Sequence, residues 1–436
     1  MPFSREGRFF FYYLLDEGHH KGLGGLGGHQ WALATSQDLR AWEHHPLALP
    51  IEAEWEGSIC TGSVFYHAGV FYAFYATRLR DYTQHLGMAL SQDGIHFSKA
   101  QPNPFFSPPP GYSPFHFRDP FAFQGDDGQF HLLVTAFQEE QPLGQRGGCL
   151  AHLVSPDLHR WELREPFFVP GSPDVPECPD LFEWNGWYYL LFSSGLSAHY
   201  RLSRSQMGPW QHPGQDVLEA PAARVMKTAA WNGRRIGVAW LGEREGDKDR
   251  AEMVWGGQAV FRELVQAEDG RLGTRFLAEV DLPTGAAPQR SLRAATPAAN
   301  CTTGKPRLER SGRLEALFFL DLPQDARLRL ALQIGEGSGP FGLRLRAGEA
   351  FDSGYELLFE PALGRARLFD QELSGLDLSG EAIELVIQMK GSILDVCINR
   401  QRCLITRAVE QRGTRLWIFA QDRACRVESL DIRAIL

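Results

Sequence analysis

The first 280 residues repeat one pattern, a glycine followed by a strand in which aromatic and aliphatic side chains alternate. The copies are "GRFFFYYL" from Gly7, "GVFYAFYAT" from Gly69, "GQFHLLVTA" from Gly128, "GWYYLLFSS" from Gly186 and, more weakly, "GRRIGVAWL" from Gly233. Their glycines are 62, 59, 58 and 47 residues apart, and no helical period appears between them. An all-strand repeat of about 50 residues is typical of a β-propeller blade, so five copies predict five blades.

A second element recurs between these strands. It reads "SQDLRAW" (36–42), "SQDGIHF" (91–97), "SPDLHRW" (155–161) and, in degraded form, "SRSQMGPW" (203–210). Serine and aspartate close turns through hydrogen bonds from the backbone to their side chains. Two elements in a fixed order favour a propeller over unrelated hairpins.

The composition changes after the repeats. Residues 283–305 are rich in Pro, Ala, Gly and Thr and read as a linker. Beyond them, short segments such as "RLRLALQI" and "IELVIQM" alternate apolar with polar residues, which predicts a β-sandwich. We therefore expect an all-β chain, with a five-bladed β-propeller over residues 1–282 and a C-terminal β-sandwich over residues 306–436.

Charge and composition exclude several classes of partner. The net charge of −9 offers no basic face to a nucleic acid. No apolar run approaches the roughly 20 residues of a membrane span. The seven cysteines are scattered without a Cys-x-x-Cys pair, which favours reduced thiols and a cytoplasmic location.

Acidic residues stand at the predicted mouths of the third and fourth blades. "FRDPF" places Asp119 there and "ECPDLF" places Glu177. Because the innermost strands line one channel, these carboxylates are expected to converge, and buried carboxylates at a converging position suggest a functional cluster. Arg118 would keep Asp119 ionised, whereas the Pro, Cys and aromatic neighbours of Glu177 favour a protonated general acid. Asp180 is interpreted as a turn cap.

Aromatic residues near the mouths are candidates for stacking on sugar rings, although each such residue is more often part of a core. The four tryptophans considered are Trp31, Trp42, Trp55 and Trp184.

At "FRDPF" and "ECPDLF" the chain resembles glycoside hydrolase family 32, which comprises invertases, inulinases and levanases with a five-bladed propeller and a β-sandwich. "HQWALATSQDLRAWEHHPLALP" (29–50) and "CTGS" (60–63) resemble further motifs of that family. The resemblance implies retaining hydrolysis of a terminal β-fructofuranosyl bond of a small carbohydrate, without metal or cofactor. Asp119 would stabilise the transition state, and Glu177 would be the general acid/base. The implied substrate contacts are Gln30, Trp31, Thr61, Ser63 and Arg118.

The family's nucleophile, an Asp in an Asn-Asp-Pro-Asn-Gly motif, has no counterpart in the sequence. Aligning the repeats on their glycines puts Met1 opposite Asp180, so we expect a nucleophilic Asp one to three residues upstream of Met1. A lost nucleophile, leaving an inactive fructan-binding propeller, is the alternative. Asp16 is a weak substitute because it follows the first strand. An arabinan- or xylan-acting five-bladed hydrolase is a further rival, and the exposed sandwich edge leaves a homo-oligomer open.

Three further features of the sequence are interpreted as loops without a binding or catalytic role. "GLGGLG" (22–27) matches a dinucleotide-binding fingerprint but precedes a strand, so it predicts a loop. The pairs His19–His20 and His44–His45 lack the spacing of metal ligands. The charge run "GEREGDKDRAE" (242–252) predicts an exposed loop of the fifth blade.

Overall fold

The computed structural model describes residues 1–16, 28–140, 144–280, 283–285, 291–302, 304–378 and 380–436. The predicted loop at 22–27 and the pair His19–His20 lie outside these ranges. The chain divides into two compact units. One comprises Met1–Asp216 and Val225–Ala239, and the other comprises Val217–Arg224 and Trp240–Leu436.

Five four-stranded sheets follow one another along the chain, in the order of a meander, and the predicted five-bladed β-propeller is confirmed. The first strand of each sheet is its inner strand. The strands of the first two blades are β1 (Pro2–Arg5), β2 (Arg8–Leu15), β3 (Gln30–Ser36), β4 (Glu43–His44), β5 (Ser58–His67), β6 (Val70–Arg78), β7 (Gln84–Ser91) and β8 (Ser98–Lys99). Those of the third and fourth are β9 (Tyr112–Gln124), β10 (Phe130–Gln138), β11 (Gly148–Ser155), β12 (Glu162–Phe168), β13 (Glu177–Trp184), β14 (Trp187–Ser194), β15 (Ser197–Ser203) and β16 (Val217–Glu219). Those of the fifth are β17 (Ala223–Trp231), β18 (Arg234–Arg244), β19 (Met253–Gln266) and β20 (Leu272–Arg275).

The repeated glycines lie in the hairpins that join each inner strand to the next. In the fourth blade Asn185 (φ 49°) and Gly186 (φ 78°) form the two central residues of the turn. Positive φ at both positions defines the tight turn whose twist matches that of paired strands, and Asn-Gly is its preferred sequence. The glycine signal therefore marks the start of the second strand of a blade.

The Ser-x-Asp elements form the predicted side-chain-closed turns. In the first, Ser36 Oγ accepts the amide of Leu39 at 2.8 Å, and Asp38 Oδ1 accepts those of Arg40 and Ala41, both at 2.8 Å. In the copies beginning at residues 91 and 155, the serine accepts the amide of the aspartate two residues on, at 3.2 Å, and the aspartate accepts the amides two and three residues beyond itself, as Asp38 does. The prediction of a recurring polar turn is thus confirmed.

The C-terminal strands form two seven-stranded antiparallel sheets. Three short strands of these sheets come first in the chain: β21 (Arg293–Ala294), β22 (Ala299–Asn300) and β23 (Arg307–Leu308). The others are β24 (Leu314–Phe319), β25 (Ala326–Gly337), β26 (Phe341–Ala347), β27 (Tyr355–Glu360), β28 (Arg365–Leu368), β29 (Gln371–Leu373), β30 (Ala382–Lys390), β31 (Ile393–Ile398), β32 (Arg402–Arg407), β33 (Arg415–Gln421) and β34 (Arg423–Ala434). Buried and more exposed residues alternate along β27 and β30, as expected for sheets that bury one face in a sandwich.

The prediction of an exposed loop at 242–252 is confirmed for residues 245–248, which are exposed, but is wrong for Arg244 and Asp249. Asp249 is buried, and its carboxylate accepts the hydroxyl of Tyr355 and the amide of Val409, both at 2.7 Å. Arg244 is buried as well and pairs with Asp370. The buried charges of this run are therefore satisfied by contacts to residues more than 100 positions further along the chain.

A buried ion cluster joins β19 to the β31–β32 hairpin. Arg262 donates from Nε to Glu219 at 2.9 Å and from Nη1 and Nη2 to both oxygens of Asp395, at 3.0 and 2.8 Å. Thr274 adds a hydrogen bond to Glu219 at 2.6 Å. We call these four residues the Arg262 cluster. None of the helical turns in the described part of the chain has the length and hydropathy of a membrane span.

Candidate active site

The inner strands of blades two, three and four share one irregularity near their beginnings. Opposite a single residue of the partner strand, β9 carries Asp119 and Pro120, and β13 carries Cys178 and Pro179. The corresponding bulge of β5 contains Cys60 and Thr61. Bulges of this kind bend a strand and re-aim the extra side chain.

This register makes Asp119 and Cys178 structural equivalents, and both adopt a left-handed backbone, with φ of 56° and 53°. Glu177 is then equivalent to Arg118, the residue directly before the bulge. Aspartate tolerates this conformation better than most residues, whereas a cysteine there indicates that the surrounding structure imposes it. Two neighbouring blades thus present different acids from adjacent positions of one motif.

Arg118 brings the two predicted acids together. Its Nη2 donates to Glu177 Oε1 at 2.5 Å, and its Nε lies 3.7 Å from Asp119 Oδ2. The Asp119 and Glu177 carboxylates therefore meet on one guanidinium. Burial alone disfavours a charged guanidinium, but the two carboxylates outweigh it and the pKa of Arg118 is raised.

Asp119 also accepts one hydrogen bond from the neighbouring blade and one from its own blade. Its Oδ2 accepts the backbone amide of Cys178 at 3.1 Å and the hydroxyl of Thr135 at 3.2 Å. Thr135 also lies 3.0 Å from the carbonyl of Pro176. With only 3% of its surface exposed, Asp119 has a fixed orientation.

Glu177 is the more open of the two acids, with 38% of its side chain exposed. The sequence suggested apolar neighbours for Glu177 and a guanidinium for Asp119. In the structure the shorter guanidinium contact belongs to Glu177. The difference arises because Arg118, being equivalent in register to Glu177, extends from the same level of the neighbouring strand.

The remaining predicted contacts divide into two groups. Thr61 is partly exposed within the bulge of β5, as substrate contact requires. Ser63 is buried, donating to the carbonyl of Pro120 at 2.9 Å and accepting the amide of Ala122 at 3.1 Å. Its hydroxyl thus fixes the Asp119–Pro120 bulge from the neighbouring blade.

The side chains of Gln30 and Trp31 make hydrogen bonds to backbone groups of neighbouring segments. The side-chain oxygen of Gln30 accepts the amide of Ile51 at 2.9 Å. Trp31 is fully buried, and its indole N–H donates to the carbonyl of Cys60 at 2.8 Å. Since no face of its ring is exposed, we leave Trp31 out of the proposed site.

The other tryptophans also occupy distinct positions. Trp184 ends β13 at the hairpin, the opposite end from Glu177. Trp42 packs edge-on against Phe9. Trp55 lies in the 3₁₀ turn Glu54–Glu56, directly before the inner strand β5, and is partly buried.

The interpretation of Asp180 as a turn cap is wrong. Asp180 lies within β13 and is buried, and its carboxylate accepts the amide and the hydroxyl of Thr228, at 2.6 and 2.5 Å. Beside it, Lys227 donates to the carbonyl of Pro179 at 2.6 Å. These bonds tie the fourth inner strand to the fifth.

Sequence reasoning missed the residues that position Arg118. Gln84 Oε1 accepts the amide of Phe117 at 2.8 Å and lies 3.5 Å from Arg118 Nη1, and His116 Nδ1 lies 3.2 Å from the same nitrogen. The pKa of His116 is lowered by burial and by the charge of Arg118. No local signal marks Gln84, which stands 34 residues before Arg118, whereas His116 could have been found from its proximity to "RDP". Within the described ranges, no group of three or more His, Cys, Asp or Glu residues is arranged to hold a metal ion.

Residues 2–274 match the N-terminal domain of the glycosyl hydrolases family 32. Among curated relatives, the raffinose invertase of Escherichia coli is 28% identical over 60% of this chain and 59% of its own length. The levanase of Bacillus sp. (strain L7) is 24% identical over 94% of this chain and 48% of its own length. The chain thus spans about half to three fifths of the length of these relatives.

Solved structures share the fold. The fructan 1-exohydrolase IIa of Cichorium intybus superposes with a TM-score of 0.76 at 16% identity, covering 100% of this chain and 94% of that one. The β-fructofuranosidase of Bombyx mori superposes with a TM-score of 0.69 at 19% identity, covering 100% and 90%. Because the family match extends over more than half of the residues, the chain belongs to glycosyl hydrolase family 32.

Proposed function

We propose that this protein is a glycoside hydrolase that removes terminal β-D-fructofuranosyl residues from sucrose, fructo-oligosaccharides or fructans by a retaining mechanism. The observation that carries the proposal is the shared guanidinium, since Arg118 holds the carboxylates of Asp119 and Glu177 together at the beginnings of two inner strands. The family membership and the invertase and levanase relatives support the substrate class.

Each acid has a role that suits its surroundings. Glu177, whose carboxyl is the more exposed, protonates the leaving glycosidic oxygen and then takes a proton from the incoming water. Asp119 is held by Thr135 and the Cys178 amide, so it is rigid enough to bind sugar hydroxyls whose hydrogen bonds strengthen in the transition state. Arg118 positions both acids.

The nucleophile is part of the proposal. The amide of Tyr12 donates to the carbonyl of Met1 at 3.1 Å, which extends the pairing of β1 with β2 back to Met1. Met1 lies four residues before the last residue of β1, and Asp180 lies four residues before the last residue of β13, so the two positions are equivalent. On this register, the counterparts of Cys178 and Glu177 precede Met1 by two and three positions. We propose an aspartate there, with its carboxyl about 5–5.5 Å from that of Glu177.

The test compares the chain as given with a chain extended by an aspartate-containing segment before Met1, on sucrose, inulin and levan. Only the extended chain is expected to hydrolyse them. In it, Glu177→Gln and Asp119→Asn should each lower kcat about 10²–10⁴-fold, because each removes a group acting in the transition state. Glu162→Gln, on an exposed strand of the third blade, is the control and should leave kcat unchanged.

Equal hydrolysis by the extended and original chains would contradict the upstream nucleophile. Full activity of Glu177→Gln would overturn the assignment of the acid. Sugar binding in the millimolar range without turnover by either chain would instead favour a fructan-binding propeller. An inverted product would favour the arabinan- or xylan-type rival.

The same proposal includes a carbohydrate as the partner and a reducing, cytoplasmic compartment. All seven cysteines are free thiols, which supports the compartment.

A further inference from the structure

The β31–β32 hairpin places two free thiols opposite each other. Cys397 and Cys403 are direct partners in the antiparallel register, and both are free thiols. Directly opposed residues of antiparallel strands have Cα atoms about 4.5–5.5 Å apart, and disulfides span about 4.4–6.8 Å. A bond between the two sulfur atoms therefore needs no change of strand register.

One of these two residues lines a cavity and the other does not. Cys397 borders a cavity of about 450 Å³ whose lining also includes Phe276, Leu277 and Val386. Cys403 is fully buried and is not part of this wall. Of the two residues, Cys397 is therefore the one that lies next to a cavity and Cys403 the one behind it.

The surroundings of Cys397 favour its thiolate. The neighbouring Cys403 side chain lowers the pKa of Cys397 most, burial opposes this, and the Phe276 amide and the Arg262 guanidinium lower it further. The other six cysteines all have raised pKa values, and burial raises that of Cys425 to about 12. Because the thiolate is the nucleophile, Cys397 differs from every other cysteine in the property that controls oxidation.

We propose that Cys397 and Cys403 form a peroxide-responsive dithiol, in which Cys397 is the reacting thiol and Cys403 the resolving one. The Cys397 thiolate attacks one oxygen of hydrogen peroxide, which breaks the O–O bond, leaves a sulfenic acid and releases hydroxide that takes up a proton to form water. The Cys403 sulfur then displaces the sulfenic hydroxyl, which leaves as a second water with the Cys403 proton. Two thiols are oxidised, one peroxide is reduced, and a thiol reductant restores the pair.

The disulfide would act on the Arg262 cluster. Cys403 donates to the carbonyl of Thr274 at 3.5 Å, a bond lost when its hydrogen leaves. The hydroxyl of the same Thr274 bonds Glu219, and Asp395, two residues before Cys397, holds Arg262. Oxidation therefore alters the hairpin at the point where it is joined to β19 and β20.

The test treats the reduced full-length chain with hydrogen peroxide and maps its cysteines by mass spectrometry without reduction. We expect a loss of about 2 Da and a single cross-link between Cys397 and Cys403, reversed by dithiothreitol. Cys403→Ala should trap a sulfenic acid at Cys397 that dimedone labels, whereas Cys397→Ala should form neither product. Cys425→Ala, a buried thiol on β34, is the matched control and should still form the cross-link.

Two results would overturn the proposal. One is a Cys397 that reacts with peroxide no faster than Cys425 in the unsubstituted protein. The other is a cross-link that maps to a different pair. Both are measured on the unsubstituted chain, so the proposal can be rejected even if an alanine variant fails to fold.

Discussion

Arg118, with Asp119 and Glu177, and Arg262, with Asp395 and Glu219, each lie between an aspartate and a glutamate, but the two groups differ in access to water. In the Arg262 cluster the side chains are 2%, 0% and 13% exposed for Arg262, Glu219 and Asp395. In the other, Glu177 is 38% exposed. A closed cluster can only hold strands together, whereas an open one can exchange a protein partner for a substrate. Exposure, rather than residue type, separates a structural ion cluster from a candidate active site.

The largest expected effect comes from removing each arginine. Arg262→Met should destabilise the protein by about 3–5 kcal/mol, because it leaves two buried carboxylates without a counter-ion. Arg118→Met should cost less, because water can solvate Glu177 and the buried Asp119 keeps its hydrogen bonds from the Cys178 amide and Thr135. Chemical denaturation measures both, and Arg310→Met, an exposed pair with Asp422, is the control and should show no measurable change. Equal losses of stability in Arg262→Met and Arg118→Met would contradict the conclusion that exposure distinguishes the two groups.

A pair of buried histidines tests the effect of burial on the charge of a single group. His131 and His152 are hydrogen-bonded at 2.8 Å in the third blade, and burial, aided by the charges of His131 and Arg164, lowers the pKa of His152 to about 4. Since the unfolded chain binds more protons between about pH 6.5 and 4, the free energy of unfolding should fall as pH decreases through this window, by about 2 kcal/mol.

Unfolding followed from about pH 8 to pH 4 measures this loss, and His152→Gln should flatten it. His212→Gln, at a half-exposed histidine, should keep the slope of the parent protein. If the free energy of unfolding of His152→Gln has the same pH dependence as that of the parent protein, burial does not disfavour the protonated form of His152.

The smallest expected effect compares two threonines with matching roles. Thr135 donates to Asp119 in the open cluster, and Thr274 donates to Glu219 in the closed one. Thr274→Val should cost about 1.5 kcal/mol of stability, because a buried carboxylate loses a charge-assisted hydrogen bond. Thr135→Val should cost less stability and instead lower kcat of the extended chain more than it raises KM. If Thr135→Val lowers the stability but leaves kcat unchanged, catalysis does not require Thr135 to orient Asp119.

Local signals in the sequence predicted the blades and the polar turns, because both depend on residues a few positions apart. The same signals located Asp119 and Glu177, since repeated strands must converge in a ring. Asp180, Trp31 and the run at 242–252 were misjudged because their partners lie far away in the chain. The carboxylate of Asp180, for example, is satisfied by Thr228, 48 residues on. Spacing predicts which strand a residue belongs to but not what its side chain meets.

The beginnings of the inner strands β9 and β13 are held by hydrogen bonds from neighbouring blades. Ser63 holds the Pro120 carbonyl, Thr135 reaches that of Pro176, and Lys227 holds that of Pro179. The setting of an acid at one entry is therefore a joint property of two modules. Grafting a single blade from a relative would transfer the acid without its fastening, so a chimaera that preserves catalysis must exchange blades in adjacent pairs.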